Sequence, residues 1–252
     1  MTTAGQAGEP LITIVIACFN AGATLAEAIE SILAQSRDDV ELVVIDGASK
    51  DDTVAVIRRY ADRLAYWVSE PDTGIYDAWN KGVRAARGQY IGFVGADDVL
   101  LPGALDAYAR LIEAEPEVEY LSARVQYGDG PKARLIGGPW SWPRSRHFMT
   151  VAHVGSLHRR SLFDRLGVYD DSFAVTGDYE LLLRAGPPLR TAFMDHVTAR
   201  MGVEGISSGR SGRVFDETVR AKKLHSRLPG WRIRYDRWRA AGGRRLRHLL
   251  ER

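Results

Sequence analysis

Cysteine is almost missing from this chain. Cys18 is the single one among 252 residues, which excludes an internal disulfide and any cysteine-built metal centre. Long apolar runs are also missing. The longest, Leu11 to Phe19, is strand-like and far short of the roughly 20 residues that a membrane-spanning helix needs. The opening MTTAGQAGEP holds no basic residue and no apolar core, so it does not read as a signal peptide. Residues 1–9 read as a flexible lead-in, and these features together predict a cytosolic protein. The glycine motifs that cradle phosphates are absent as well. No Gly-x-Gly-x-x-Gly follows the first strand, and no Gly-x-x-x-x-Gly-Lys-Ser/Thr occurs anywhere. A dinucleotide fold or a P-loop is therefore disfavoured, and a bound nucleotide would need its phosphates neutralised by a metal held on carboxylates.

Acidic residues are scarce only at the C-terminal end. Residues 220–252 hold 12 Lys/Arg against two acids, Asp236 and Glu251, whereas the remainder has 22 basic and 30 acidic residues. An acidic body with a strongly basic tail points to an anionic partner for the tail. Hydrophobic content of 45% is ordinary for a globular protein with a sizeable core.

Four short β-rich runs alternate with helix-periodic stretches. Leu11 to Phe19 is followed by Leu25, Ala28, Ile29, Ile32 and Leu33 at helical spacing. Val40 to Ile45 precedes a helix that Asp51 or Asp52 can cap. Leu64 to Ser69 precedes a helix over Ile75 to Arg87, closed by Gly88, and Tyr90 to Val94 is the fourth strand. This alternation predicts a parallel sheet with right-handed crossovers. Polar residues gather where the strands end: Asn20, Asp46, Glu70 with Asp72, and Asp97 with Asp98. In open α/β sheets ligands bind outside those carboxyl ends, so these side chains are expected to share one crevice. Ionised carboxylates at a buried strand mouth are costly unless paired or metal-bound. The alternative for Asp97 and Asp98 is a plain loop in which Asp98 caps a helix starting near Pro102.

The second half reads as a helix over Leu105 to Ala114, a strand over Glu119 to Tyr127, and a strand or hairpin arm over Lys132 to Trp142. A loop follows from Arg144 to His153, then helices over Arg159 to Leu166 and Asp178 to Ala185, and a strand-like run over Leu189 to Arg200. This half is expected to close one side of the crevice and to supply a second substrate site.

Several stretches, in order, resemble the glycosyltransferase family 2 enzymes with the nucleotide-sugar-binding GT-A fold. They are ITIVIACFN, ELVVIDGASKDDT, EPDTGIYDAWNKGVRAARGQYIGFVGADD, LGVYDDSFAVTGDYELLLR and GVEGIS. The most specific part is EPDTGIYDAWNKG followed by GADD and later GDYE. The likeness is to the subgroup found in bacterial polysaccharide and cell-envelope gene clusters. It implies an α/β domain over residues 10–226 with a mostly parallel central sheet flanked by helices. Residues 10–100 would form the nucleotide-sugar-binding half, residues 101–226 the acceptor half, and residues 227–252 a basic helical tail.

The resemblance also implies site residues. Ala17, Phe19 and Asn20 sit where such enzymes line the base and ribose pocket, with Ala96 also on the donor side. Asp46 sits where a carboxylate accepts the N3–H of uracil; its alternative is to cap a turn with Ser49. Asp77 sits near the nucleotide, and Lys81 can reach phosphate. Their alternative is a surface ion pair in the favourable acid-first i,i+4 order. Asp97 matches the last aspartate of the family's Asp-X-Asp metal motif, but Gly95 stands at its first position, leaving Asp97 and Asp98 for Mg2+ or Mn2+. Asp178 matches the catalytic base; its alternative is a helix N-cap. Glu180 and His153 fall on the acceptor side, while Arg200 and the loop from Gly202 to Ser208 resemble a segment closing over the diphosphate.

The implied activity is inverting, metal-dependent transfer of a sugar from a nucleotide-diphosphate donor, a UDP-sugar, to a saccharide or lipid-linked hydroxyl acceptor. The alternatives are a nucleotidyltransferase of related fold and a non-catalytic sugar-nucleotide-binding protein. In the tail, Trp231, Tyr235 and Trp238 share one helical face among arginines, Gly242-Gly243 is expected to break the run, and Leu246, Leu249 and Leu250 form a second stripe. This pattern suits an amphipathic helix on an anionic membrane, which would place the protein peripherally on the inner face of the cell membrane. The alternative is that the aromatic face packs on the body. No recognised nucleic-acid module accompanies the charge, so nucleic acid is not the expected partner.

Overall fold

The run Ile12–Cys18 forms strand β1 with every residue buried, in a computed structural model that describes residues 9–202 and 211–250. Burial on both faces explains its unbroken apolar composition. Its side chains alternate between two cores: Ile12, Ile14, Ile16 and Cys18 on one side, Val15 and Ala17 on the other. Strands β2 (Val40–Asp46), β3 (Tyr66–Ser69) and β4 (Tyr90–Gly95) complete a parallel array in the order β3-β2-β1-β4. Helices α1 (Leu25–Leu33) and α2 (Thr53–Arg59) cover the first core, and α3 (Ile75–Ala85) covers the second. The chain thus winds outward from β1 to β3, and α3 carries it back across the sheet to β4. That reversal creates the switch point at which open α/β sheets bind ligands. The register aligns Cys18 with Asp46, Asp46 with Ser69, and Ala17 with Gly95. All four strand ends therefore open on one edge.

The same sheet continues through the second half. After the short strand β5 (Val99–Leu100) come α4 (Ala104–Ala114), β6 (Tyr120–Tyr127), β7 (Arg134–Ile136) and α5 (Trp142–Ser145). Then follow β8 (Ser156–Arg159), α6 (Arg160–Leu166), α7 (Gly177–Ala185) and β9 (Thr191–Met201). β8 lies antiparallel between β4 and β6, β6 pairs parallel with β9, and β5 closes on β9. Three local expectations change. Within the Lys132 to Trp142 stretch residues 134–136 alone form a strand, and Trp142 already begins α5. β8, four residues long, carries no alternation of its own and exists because strands flank it on both sides.

Two helices end the described chain, α8 (Ser211–His225) and α9 (Gly230–Leu250). The third change is that α9 runs unbroken through Gly242-Gly243, where the sequence reading expected a break. Glycine lowers helix propensity by roughly 1 kcal/mol without forbidding the conformation. α9 packs through Ile233 and Asp236, which are buried. Asp236 binds the buried Lys222 of α8 at 3.2 Å and His147 Nδ1 at 2.9 Å. Trp231, Tyr235 and Trp238 are consequently turned outward, 60%, 43% and 72% exposed, so the aromatic face does not pack on the body. Among the described residues no helix is long and apolar enough to cross a membrane. Residues 1–8 of the expected lead-in, residues 203–208 of the expected closing loop, and the side chains of Leu246, Leu249 and Leu250 lie outside the described residues.

Candidate active site

The strand ends bring Asn20, Asp46, Asp72 and the Asp97-Asp98 pair to one edge, but their hydrogen bonding separates them sharply. Asp46 is fully enclosed. Its Oδ1 accepts the Ser49 hydroxyl, and its Oδ2 accepts Ser49 N–H at 3.1 Å and the Ser69 hydroxyl at 2.6 Å. The turn-capping alternative is therefore observed, with a second hydroxyl supplied by β3. Asn20 adopts a left-handed backbone (φ 49°) and ties β1 to the next loop: its N–H donates to Ser49 Oγ at 2.7 Å, and its Oδ1 accepts Lys50 N–H at 2.9 Å. Ala17 is buried at the end of β1, whereas the Phe19 ring stands 63% exposed.

Asp97 and Asp98 divide in the same way. Asp98 is buried, and both its oxygens accept backbone N–H groups, Gly95 at 2.8 Å and Gly202 at 3.0 Å. It locks the turn after β4 to the end of β9. Burial, aided by the charge of Asp97, pushes its carboxyl up to about 6. Asp97 is half-buried and makes no hydrogen bond or ion pair with a described residue. Ala96, between Gly95 and Asp97, is buried. Among the described residues no group of three or more His, Cys, Asp or Glu is arranged to hold a metal ion. A cation here would need most of its ligands from elsewhere. A carboxylate with no described partner could offer one hard oxygen ligand to Mg2+ or Mn2+.

The N-terminus of α3 is built by its own acidic loop. Asp77 Oδ2 accepts Thr73 N–H at 3.1 Å. Lys81 Nζ donates to Pro71 O at 2.8 Å and pairs with Glu70 at 3.1 Å and Asp77 at 3.8 Å. The i,i+4 pair of the alternative reading is thus formed, and Lys81 balances the negative charge of this loop. Arg200, opposite Val99 across β5 and β9, turns its guanidinium to Glu27 at 2.6 Å and Asp129 at 3.0 Å.

Asp178 sits in the first turn of α7 and retains some exposed surface. Desolvation by the surrounding protein pushes its carboxyl up to about 6, against the lowering effect of hydrogen bonds from Tyr179 N–H and the Tyr76 hydroxyl. Tyr76 comes from α3 and donates to Asp178 Oδ1 at 3.2 Å. Gly177 makes this approach possible, since a Cβ there would lie 2.9 Å from the Tyr76 ring. α3 is also clamped to the loop that precedes α7 by Asn80, whose side-chain amide exchanges two hydrogen bonds of 2.9 Å with the Tyr169 backbone. From α8, the Glu217 carboxylate accepts the N–H groups of Ala174, Val175 and Thr176 at 3.0, 2.9 and 3.1 Å. The turn leading into Asp178 is thereby braced. Sequence reasoning missed Tyr76, Asn80 and Glu217. The first two lie inside the GIYDAWNKG stretch, where their presence in a specific motif was the available signal.

The acceptor-side candidates take up different surroundings. Glu180 is buried and bound to Arg184 at 2.7 Å and His225 at 2.7 Å. The His153 ring packs against Trp79 at 4.4 Å and Phe93 at 5.3 Å, with His158 at 5.4 Å. Burial holds His153 well below the usual histidine range and His158 down to about 3, so both imidazoles are neutral members of an aromatic wall.

The arrangement offers a set of strand ends on one edge, one carboxylate after β4 with no described partner, and a partly desolvated carboxyl of raised pKa on α7. Comparison with known proteins agrees in fold and family. An uncharacterised glycosyltransferase of Mycobacterium tuberculosis is 30% identical over 249 residues, covering 95% of this chain and 89% of the relative. A PGL/p-HBAD biosynthesis glycosyltransferase of Mycobacterium bovis is 31% identical over 228 residues, covering 87% and 84%. Staphylococcus aureus TarS in complex with UDP-GlcNAc superposes with a TM-score of 0.71 at 17% identity, covering 88% of this chain and 69% of that one. The mannosyltransferase PcManGT of Pyrobaculum calidifontis, in complex with GDP-Man and Mn2+, gives 0.64 at 22% identity, covering 84% and 63%. The sheet is that of the GT-A fold. The family model for Glycosyl transferase family 2 matches residues 13–161, more than half the chain, and the protein belongs to that family.

Proposed function

We propose that this glycosyltransferase transfers a sugar, with inversion, from a UDP-sugar to a hydroxyl of a saccharide or lipid-linked acceptor in cell-envelope synthesis. The observation that carries the reading is the Tyr76–Asp178 hydrogen bond. It joins a carboxyl of raised pKa to the helix that rises from the donor edge of the sheet. Asp178 acts as general base: its carboxylate takes the acceptor hydroxyl proton as that oxygen attacks the anomeric carbon. The bond from that carbon to the diphosphate oxygen breaks, and the nucleoside diphosphate leaves with the electron pair. A base with pKa near 6 is ionised at neutral pH and still basic enough to accept a proton. Asp97 would hold Mg2+ or Mn2+, which when bound neutralises charge on the leaving diphosphate. The UDP-GlcNAc and GDP-Man complexes of the structural neighbours support a nucleotide-sugar donor, and the name of the M. bovis relative supports a biosynthetic acceptor.

The outward aromatic and arginine-rich face of α9 supports a peripheral position on anionic lipid, where a lipid-linked acceptor resides. The decisive test is Asp178→Asn with radiolabelled nucleotide sugars and envelope-lipid acceptors. UDP binding is retained and transfer is lost; a variant that still transfers at the native rate removes Asp178 from the role.

A further inference from the structure

The enclosure of Asp46 leaves the nucleobase without its expected reader. Both Asp46 oxygens are occupied by protein donors, and its exposure is zero. One residue away, Gly47 marks a different juxtaposition. A Cβ placed on Gly47 would lie 2.5 Å from Asp72 Oδ2 and 3.3 Å from Phe19 Cδ2. The loop after β3 and the end of β1 thus bring a carboxylate oxygen and the edge of an exposed aromatic ring within reach of one point above the Gly47 backbone. Asp72 is half-buried. Its Oδ1 accepts Gly74 N–H at 3.0 Å, while Oδ2 accepts no hydrogen bond from any described residue. Any side chain at position 47 would displace that oxygen.

Resting on the nucleotide-sugar reading above, we infer that Asp72, and not Asp46, reads the base: the base stacks on Phe19 and donates its ring N–H to Asp72 Oδ2. An ionised carboxylate only accepts hydrogen bonds. It suits a ring nitrogen that carries hydrogen, as N3 of uracil does. At cytosine it meets an acceptor at N3 and is left with only the exocyclic N4–H2 as a donor, a displaced and poorer fit. Gly74 also sets the consequence of substitution. In Asp72→Asn the Gly74 N–H retains the amide oxygen, so the NH2 group takes the place of Oδ2 and turns a donor toward the base.

The test is calorimetric titration of the full-length protein with UDP, CDP and GDP in the presence of Mn2+. The native protein is expected to prefer UDP over CDP by about tenfold or more. Asp72→Asn weakens UDP and strengthens CDP until the order inverts. Asp46→Asn lowers thermal stability and leaves the order unchanged. If Asp72→Asn leaves the native UDP preference intact, or if Asp46→Asn inverts it, the assignment is wrong while the UDP-donor reading stands. If the native protein prefers GDP and Asp72→Asn abolishes that binding, the UDP reading falls and Asp72 keeps its role. A native preference for CDP, or no binding of any of the three, overturns both.

Discussion

The Tyr76 hydroxyl donates to Asp178 Oδ1 at 3.2 Å across 102 residues of sequence. The bond ties α3, which leaves the edge where the parallel strands end, to α7, which carries the proposed base. Removing only the hydroxyl, as Tyr76→Phe, keeps the ring that packs on Trp79 and Tyr169. The lost hydrogen bond had lowered the Asp178 pKa against desolvation. In Tyr76→Phe the pKa therefore rises above its value of about 6, and the acid limb of the kcat/KM profile moves to higher pH. We expect kcat to fall by at most about one to two orders of magnitude, since one hydrogen bond to a charged group contributes about 1.5–3 kcal/mol and each 1.36 kcal/mol is about tenfold in rate. An unmoved acid limb would show that Tyr76 serves packing alone.

Asp178 also carries a stability signature. Its folded pKa, about 6, lies above the ordinary 3.8, so the folded state binds its proton more tightly than the unfolded state. Stability attributable to this group is therefore highest below pH 4 and declines as pH rises to 6. Asp178→Asn removes that dependence. At pH 8 the variant is expected to be more stable than the native protein by on the order of 1–3 kcal/mol, with the difference vanishing toward pH 4. Paired thermal melts across this range check it, and a destabilised variant at pH 8 would contradict the burial argument.

The two neighbouring aspartates should behave oppositely. Asp97 has no described partner, whereas Asp98 holds Gly95 and Gly202 by backbone hydrogen bonds. Asp97→Ala is predicted to retain thermal stability and to lose the Mn2+-dependent part of UDP affinity. Asp98→Asn keeps one carbonyl oxygen for two N–H groups and is predicted to lose about 1–3 kcal/mol of stability. Calorimetry and thermal melts on both variants separate the roles. Equal loss of stability in the two would show that Asp97 is also structural.

Tail binding is best tested by point substitution, because deleting α9 would strip Asp236 from the buried Lys222. Trp231→Ser with Trp238→Ser, both on the exposed face, should reduce co-sedimentation with vesicles containing anionic lipid by about tenfold or more and leave the melting temperature within a degree or two. Added salt should weaken native binding in parallel. Undiminished sedimentation of the double variant would remove this face from the membrane.

Much of the first half of the chain was legible from local pattern. ITIVIAC and VELVVID are apolar over their whole length because the sheet is covered on both faces, and a strand's end is marked by where that run stops. The carboxylates at those ends could be assigned to one crevice by topology alone. β8 was not legible, because SLHR is stabilised by its neighbours β4 and β6 and not by any period of its own. The enclosure of Asp46 was not legible for a related reason: the Ser69 hydroxyl that completes it arrives from the next strand, 23 residues on.

The sequence by itself determined the alternation of strand and helix, the edge at which polar side chains collect, and the identity of the family. Those depend on interactions within a few residues and on motifs read in order. Only the tertiary structure decided which carboxylates are engaged by other described residues and which are not. Asp46 and Asp98 are enclosed by donors from distant segments, while Asp72 and Asp97 each keep an oxygen unclaimed by any described residue. Whether a carboxylate can serve a ligand depends on whether the fold has already satisfied it, and that is settled by contacts between residues far apart in the chain.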